Sequence, residues 1–220
     1  MLGLFDSGSG GLNTVRYLKE NAPWLDLVYL IDRERAPYGI KTEKELVKIT
    51  EENIERLKDM GAECVLIACC TASTVHHLLR KEQKEMSIPI IGAVANAAKN
   101  ATRIGRIGVI GTNHTVGTHA FKNALIGYEV HEIATGDLVG MIDGGLCDEV
   151  VTDTDAAYIN TLLSPLFEKD IDTLILGCTH FPALGKTIKK IARPHGINTV
   201  IDSVKIGAEL LMSKEVITNG

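Results

Sequence analysis

A chain of 220 residues is long enough to bury a core and fits one or two domains, and 45% apolar with 23% charged residues is the balance of a globular protein, which excludes extensive disorder. Its net charge of −5, with no basic block, gives no electrostatic reason to expect nucleic acid or an anionic membrane surface as a partner. No apolar run approaches the roughly 18 residues of a spanning helix, and Met1 leads straight into Leu2-Gly3-Leu4-Phe5-Asp6 without the regions of a signal peptide. The expected location is the cytoplasm, where thiols stay reduced; five cysteines without a disulfide-like framework suit it.

Leu2 to Phe5 is the first predicted strand, and Asp6-Ser7-Gly8-Ser9-Gly10-Gly11 is a glycine-rich turn opening a helix from about Leu12 to Asn21. The turn resembles a phosphate loop only loosely. It lacks a Lys-Ser/Thr ending, and Asn13 stands where a dinucleotide fingerprint has its third glycine. Leu27 to Ile31 is a second strand, followed by a polar loop in which Pro37-Tyr38-Gly39 either turns the chain or brings Tyr38 towards a site. From Thr42 to Met60, Leu46, Ile49, Ile54, Leu57 and Met60 mark the apolar face of a covering helix whose charges form a solvated face. Cys64 to Ala68 is the central strand of the first half, and a helix from Thr71 to Leu79 follows with Thr71 or Ser73 near its start. Ile88 to Ala93 reads as a short strand and Ala95 to Thr102 as a helical stretch.

A second half starts at Arg106, with strand Ile107 to Ile110, helix Thr115 to Ile126, strand Glu129 to Ile133, a segment Asp137 to Gly144 and an amphipathic helix Asp153 to Glu168. Strand Thr173 to Leu176 leads into Cys178-Thr179-His180-Phe181-Pro182. A final strand, Thr199 to Ser203, precedes a helix from Val204 to Met212 that is expected to return to the first half.

The two halves echo one another. Glu63 to Ser73 carries an acidic residue, a buried-type run, one small residue and a cysteine, and Asp172 to His180 repeats that order, pairing Cys69 with Cys178 and Cys70 with Thr179. Leu2 to Ser7 likewise matches Ile107 to Thr112, at an offset of 105 residues against 109 for the cysteines. Two echoes at nearly one offset indicate two similar halves. Apolar runs that end in small and polar residues before a helical pattern are buried parallel strands with their carboxyl-end loops, the place where open α/β sheets hold ligands.

A thiol becomes a base or nucleophile when a helix amino terminus or a hydrogen-bond partner stabilises its thiolate, and both Cys69 and Cys178 lie between a strand end and a following turn or helix. One thiolate and one thiol on opposite faces of a substrate carbon would remove a proton and return it from the other side, which is inversion by two bases. Backbone N–H groups of the Gly8 to Gly11 turn and of the two cysteine turns are suited to a substrate carboxylate. Asp6 beside one cysteine and His180 beside the other are candidate tuners. Cysteine is also a common buried apolar residue. Cys64 and Cys147, without counterparts in the other half, are read that way, and the six other histidines as surface or packing residues. A zinc site of Cys69, Cys70, Cys178 and His180 lacks the usual ligand spacings.

With Asp6-Ser7-Gly8, Pro37-Tyr38-Gly39, Ala68-Cys69-Cys70-Thr71-Ala72-Ser73, Gly111-Thr112, Cys178-Thr179-His180 and Val200-Ile201-Asp202-Ser203 in this order, nearly the whole chain resembles the glutamate racemases of the aspartate/glutamate racemase superfamily. The resemblance implies two pseudo-symmetric α/β domains, Rossmann-like or flavodoxin-like, with mainly parallel sheets and a cleft between them: residues 1–95 plus 203–220 carrying Cys69, and residues 96–202 carrying Cys178. It implies an isomerase without cofactor or metal in which Cys69 and Cys178 are the opposed acid and base, assisted by Asp6, His180 and Asp143. Ser7, Pro37, Tyr38, Gly39, Cys70, Thr71 and Thr179 would line the pocket of an amino-acid substrate. The product, D-glutamate, would feed peptidoglycan, and a homodimer is expected.

The chain departs from the family pattern where Cys70 stands for an asparagine and Asp143 for a glutamate, and where Ala95-Asn96-Ala97 replaces Glu-Pro-Gly; it also stops sooner than relatives do. A thiol is a poor replacement for an amide as a hydrogen-bonding group. Racemisation of aspartate, a hydantoin or another carbon acid, and amino-acid binding without turnover, are therefore the alternative functions.

Overall fold

A computed structural model describes residues 1–218, with side chains for residues 1–213. The chain divides into two compact units, Met1–Ala93 together with the chain from Val204 on, and Val94–Ser203. Each described unit is built on a four-stranded parallel sheet.

In the first unit, β1 (Leu2–Asp6) is buried along its whole length, as a continuous apolar run between two parallel neighbours should be. It pairs with β2 (Leu27–Ile31) on one side and β3 (Cys64–Ile67) on the other, and the short β4 (Ser87–Pro89) completes the order β2-β1-β3-β4. Helix α1 begins at Ser9, inside the glycine-rich stretch and earlier than the sequence reading places it, and ends at Asn21. Helix α2 (Glu43–Asp59) is set by a capping box: the Glu45 amide donates to the Thr42 hydroxyl, and the Thr42 amide donates to the Glu45 carboxylate. It buries Leu46, Ile54 and Leu57 completely, each contributing roughly 1.5–3 kcal/mol of apolar transfer.

Two local expectations fail here. The helix expected over 71–79 is only α3 (Cys70–Ser73), followed by a 3-10 turn at His76–Leu78 and a separate helix α4 (Lys81–Met86). The strand expected over 88–93 stops at Pro89, and α5 (Ile90–Ala101) begins at once, its first amide donating to the Ser73 hydroxyl at 3.1 Å. Ile90, Val94 and Ala98 are all buried at a helical spacing, so that period overrides the β propensity of the isoleucines.

The second unit repeats the plan. Strand β5 (Arg106–Gly111) pairs with β6 (Glu129–Ala134) and β7 (Thr173–Gly177), and β8 (Thr199–Asp202) gives the order β6-β5-β7-β8. The helix expected over 115–126 is two pieces, α6 (Asn113–Gly117) and α7 (Ala120–Ala124), because His119 takes a left-handed conformation with φ 52° that no helix interior accommodates. Helices α8 (Asp137–Asp143) and α9 (Asp153–Phe167) follow, and α10 (Gly185–Ala192), which the sequence reading did not anticipate, packs on α9. The last helix, α11 (Ser203–Thr218), belongs almost wholly to the first unit: Gly207 lies against Leu66 and Thr14, and Val204, Ala208 and Leu211 are buried.

Candidate active site

The register of the first sheet determines what emerges beside what. Phe5 faces Ile67 across the β1–β3 ladder, and the Ala68 amide donates to the Phe5 carbonyl at 3.0 Å, so Asp6-Ser7 and Cys69 leave the carboxyl edge side by side. The Ser7 hydroxyl oxygen lies 3.5 Å from the Cys69 sulfur, and Asp6, fully buried, accepts the Gly8 amide at 3.0 Å. Gly11 makes that turn feasible, since a Cβ there would lie 2.3 Å from the Asp6 Cβ.

Cys69 sits at the N-cap of α3, 4% exposed, with the Ala72 and Thr71 amides bonded to its sulfur. Burial pushes the thiol up to about 12, the neighbouring Asp6 adds to that, and the Ser7, Ala72 and Thr71 bonds pull the other way. At neutral pH the resting Cys69 is therefore a thiol, a proton donor.

Tyr38 comes from the loop after β2, in a short turn (Tyr38–Ile40) that packs on α3, and it is 2% exposed. Its hydroxyl donates to Asp32, and Asn53 Nδ2 donates to both Asp32 Oδ2 (3.2 Å) and the Tyr38 oxygen (3.0 Å). Arg35 pairs with Asp32 through Nε at 2.7 Å. Burial first, then the bond to Asp32 and the nearby Cys69, hold the phenol well above its ordinary pKa, so it stays protonated. Sequence reasoning missed Asp32, Arg35 and Asn53. The available signal was Asn53 itself, a polar residue spaced four from both Ile49 and Leu57 on the buried stripe of α2.

In the second unit Cys178 follows β7 directly. Gly177 is required there, because a Cβ would stand 2.8 Å from the Ile110 carbonyl oxygen and from the Phe121 ring. The Cys178 sulfur is 3.5 Å from His180 Nδ1, and His180 Nε2 lies 3.3 Å from Asp143 Oδ1, close enough to attract but off the alignment of a hydrogen bond. Cys178 and His180 are buried, whereas Asp143, at the end of α8, is half exposed. The thiol and the imidazole are placed to exchange a proton, and the carboxylate stands behind them as a nearby negative charge.

A sequence model described as Asp/Glu/Hydantoin racemase matches residues 13–211. The chain belongs to the Asp/Glu/Hydantoin racemase family. It is 36% identical over 216 residues to a glutamate racemase of Aquifex aeolicus, covering 96% of this chain and 81% of that one. The crystal structure of a glutamate racemase isoform from Bacillus anthracis superposes with a TM-score of 0.86 at 31% identity, over 100% of this chain and 82% of that one. Glutamate racemase from Francisella tularensis, solved in complex with D-glutamate, gives 0.86 at 29% identity, over 99% and 81%. By this kinship the chain is a racemase-type isomerase.

Among the residues that the family resemblance singles out, the first unit brings Asp6, Ser7, Cys69 and Tyr38 together, with Cys70 and Thr71 buried at the start of α3. Pro37 is exposed and Gly39 half buried, on either side of Tyr38. The second unit joins Cys178, His180 and Asp143, with Thr179 buried between the thiol and the imidazole. All five cysteines are outside disulfides; Cys64 opens β3, and Cys147 lies in the loop after α8.

Proposed function

We propose that this racemase-family chain interconverts L- and D-glutamate without a cofactor, Cys69 and Cys178 being the two bases. The observation that carries the reading is their matched position: Cys69 follows the third strand of the order β2-β1-β3-β4, and Cys178 follows the third strand of β6-β5-β7-β8. One thiolate takes the α-proton, leaving a carbanion delocalised onto the carboxylate, and the other thiol delivers its proton to the opposite face and becomes the thiolate. The pair then stands ready for the reverse turnover. Cys69, held as a thiol in the resting protein, is the proton-donating member of the pair in that form.

Asp6, His180 and Asp143 assist these proton transfers, and Ser7, Pro37, Tyr38, Gly39, Cys70, Thr71 and Thr179 bind the amino acid. Glutamate is favoured because the relatives above are named for it and one holds D-glutamate. The product would supply peptidoglycan, the setting is cytoplasmic, the working form is a homodimer, and the two domains are the functional halves.

Proton NMR in D2O tests this: the α-proton signals of both L- and D-glutamate should decay, and either Cys69→Ala or Cys178→Ala should stop it. Full activity in one of those variants would remove the two-base reading.

Cys70 favours a second reading, racemisation of aspartate or a hydantoin, because a buried thiol occupies a position where the resemblance expects a side-chain amide. A panel of carbon acids in the same exchange assay separates the two. Heat of binding without exchange would leave a non-catalytic amino-acid binder.

A further inference from the structure

We propose that Asn53, on the buried face of α2, is a positioning residue for Cys69: it bridges Asp32 to the Tyr38 hydroxyl and thereby fixes the aromatic wall beside the thiol. The proposal deepens, and for its catalytic meaning rests on, the reading of Cys69 as an acid/base.

Four side chains from two stretches, α2 and the loop after β2, close a ring. Asp32 Oδ2 receives the Tyr38 hydroxyl, Asn53 Nδ2 and Arg35 Nε; Asn53 Oδ1 in turn accepts from Arg35 Nη2 at 2.5 Å, and Arg35 Nη1 reaches Glu52 at 2.6 Å. Asn53 uses both ends of its amide, donating to two acceptors and accepting from the guanidinium. It is fully buried, so these bonds replace water it cannot reach.

The consequence falls on Tyr38. Its proton is given to Asp32 and its oxygen accepts from Asn53, so the hydroxyl is occupied within the ring, and the tyrosine acts as a placed surface and not as an acid. That surface meets the catalytic thiol: Tyr38, Cys69, Ala72 and Phe5 share one buried apolar cluster, and both the Tyr38 turn and α2 pack on α3. The two groups also sense each other electrically, charge on Cys69 strengthening the hold of Tyr38 on its proton. Breaking the ring frees the 33–41 loop and lets water reach the sulfur from that side.

The test reads the thiol without substrate. Iodoacetamide alkylation of Cys69, followed by peptide mass spectrometry across pH, is compared among the parent, Asn53→Leu, Tyr38→Phe and the double variant, with circular dichroism confirming the fold of each. Because burial is the main reason Cys69 holds its proton, its thiolate should become easier to form in Asn53→Leu, with alkylation at pH 8 faster by about tenfold for each unit of downward shift. Tyr38→Phe should act in the same direction, and the double variant should match the larger single effect, since both act through one ring. In the racemase assay Asn53→Leu should lose kcat with KM little changed. Should Asn53→Leu not fold, Asn53→Ser, which shortens the bridge without adding an apolar group, takes its place in the cycle. An unchanged Cys69 profile in a folded Asn53 variant, or additive effects of Asn53 and Tyr38, would overturn the proposal. A parent that exchanges no α-proton would remove the racemase reading and leave the alkylation result intact.

Discussion

The Ser7 hydroxyl oxygen lies 3.5 Å from the Cys69 sulfur, on the first loop of the same sheet edge. This bond pulls the thiol pKa down while the adjacent Asp6 pushes it up. The two neighbours therefore predict substitutions of opposite sign. Ser7→Ala should slow alkylation of Cys69 at pH 8 and Asp6→Asn should speed it, each by about threefold or more if the shift is half a unit. Both variants moving the profile in the same direction would show that this account of the thiol is incorrect.

Removal of either thiol should cost the whole of one proton transfer. Cys69→Ala and Cys178→Ala are each expected to lower the racemisation rate by at least about 10²- to 10⁴-fold, the usual worth of a positioned acid or base. Polarimetry with L- and D-glutamate measures it. Cys64→Ala and Cys147→Ala, which alter thiols outside the two cysteine turns, should leave the rate within a factor of about two.

The placement of Cys69 and Cys178 in turns behind buried strands was legible in the sequence because a buried parallel strand has a plain signature: Val65-Leu66-Ile67 and Leu174-Ile175-Leu176 are continuous apolar runs, and the polar turn must follow. Helix α2 was legible for the same kind of reason, a capping box ahead of a 3.6-residue period. What local pattern did not carry is what distant residues supply. Helix α10 is capped by Asp148, which accepts the Lys186 and Thr187 amides at 2.8 Å from nearly forty residues upstream, so its start has no local signal. The break at His119 rests on a single residue in the left-handed conformation. At the site, Tyr38 stood on an ambiguous Pro-Tyr-Gly turn; its burial follows from Asp32 and Asn53, which only the fold brings to it.

Asp172, one residue before β7, gives a pH dependence. Burial acts to raise its pKa, but bonds from the Thr102 hydroxyl (2.6 Å) and the Arg103 and Ile104 amides (2.6 and 3.1 Å) outweigh that and hold the carboxyl below its ordinary value. A depressed folded pKa means that the ionised group stabilises the fold above the unfolded value of about 3.9, and that the contribution is lost as pH falls through the lower folded value. Asp172→Asn should therefore melt below the parent at pH 7, and the gap should close progressively below about pH 4. Thermal melts from pH 7 to pH 2.5 provide the comparison; a constant gap would mean that the charge is not what matters.

Gly177 couples the sheet to the second thiol. Any Cβ there would stand 2.8 Å from the Ile110 backbone oxygen, an atom held in the β5 ladder that cannot yield as a side-chain tip can. Gly177→Ala should destabilise the protein by roughly 1–3 kcal/mol through overpacking. It should also displace Cys178 and depress kcat by more than the stability loss explains. Urea denaturation and activity at low temperature separate the two effects.

Asp143 is the component of the second site with a geometric deficit. Its Oδ1 stands 3.3 Å from His180 Nε2 without an aligned hydrogen bond, and the carboxylate is half exposed, so water screens what attraction remains. Truncation should consequently be mild: Asp143→Ala is expected to lower kcat by no more than about tenfold, far less than loss of Cys178. Asp143→Glu adds one methylene of reach, enough to let the carboxylate approach Nε2 along its N–H direction and complete the hydrogen bond. The kcat of Asp143→Glu, measured by polarimetry with both enantiomers, should then equal or exceed that of the parent. A kcat in Asp143→Glu as low as that of Asp143→Ala would show that reach is not what limits this pair, and the carboxylate would then be a surface charge near the site and not a partner of the imidazole.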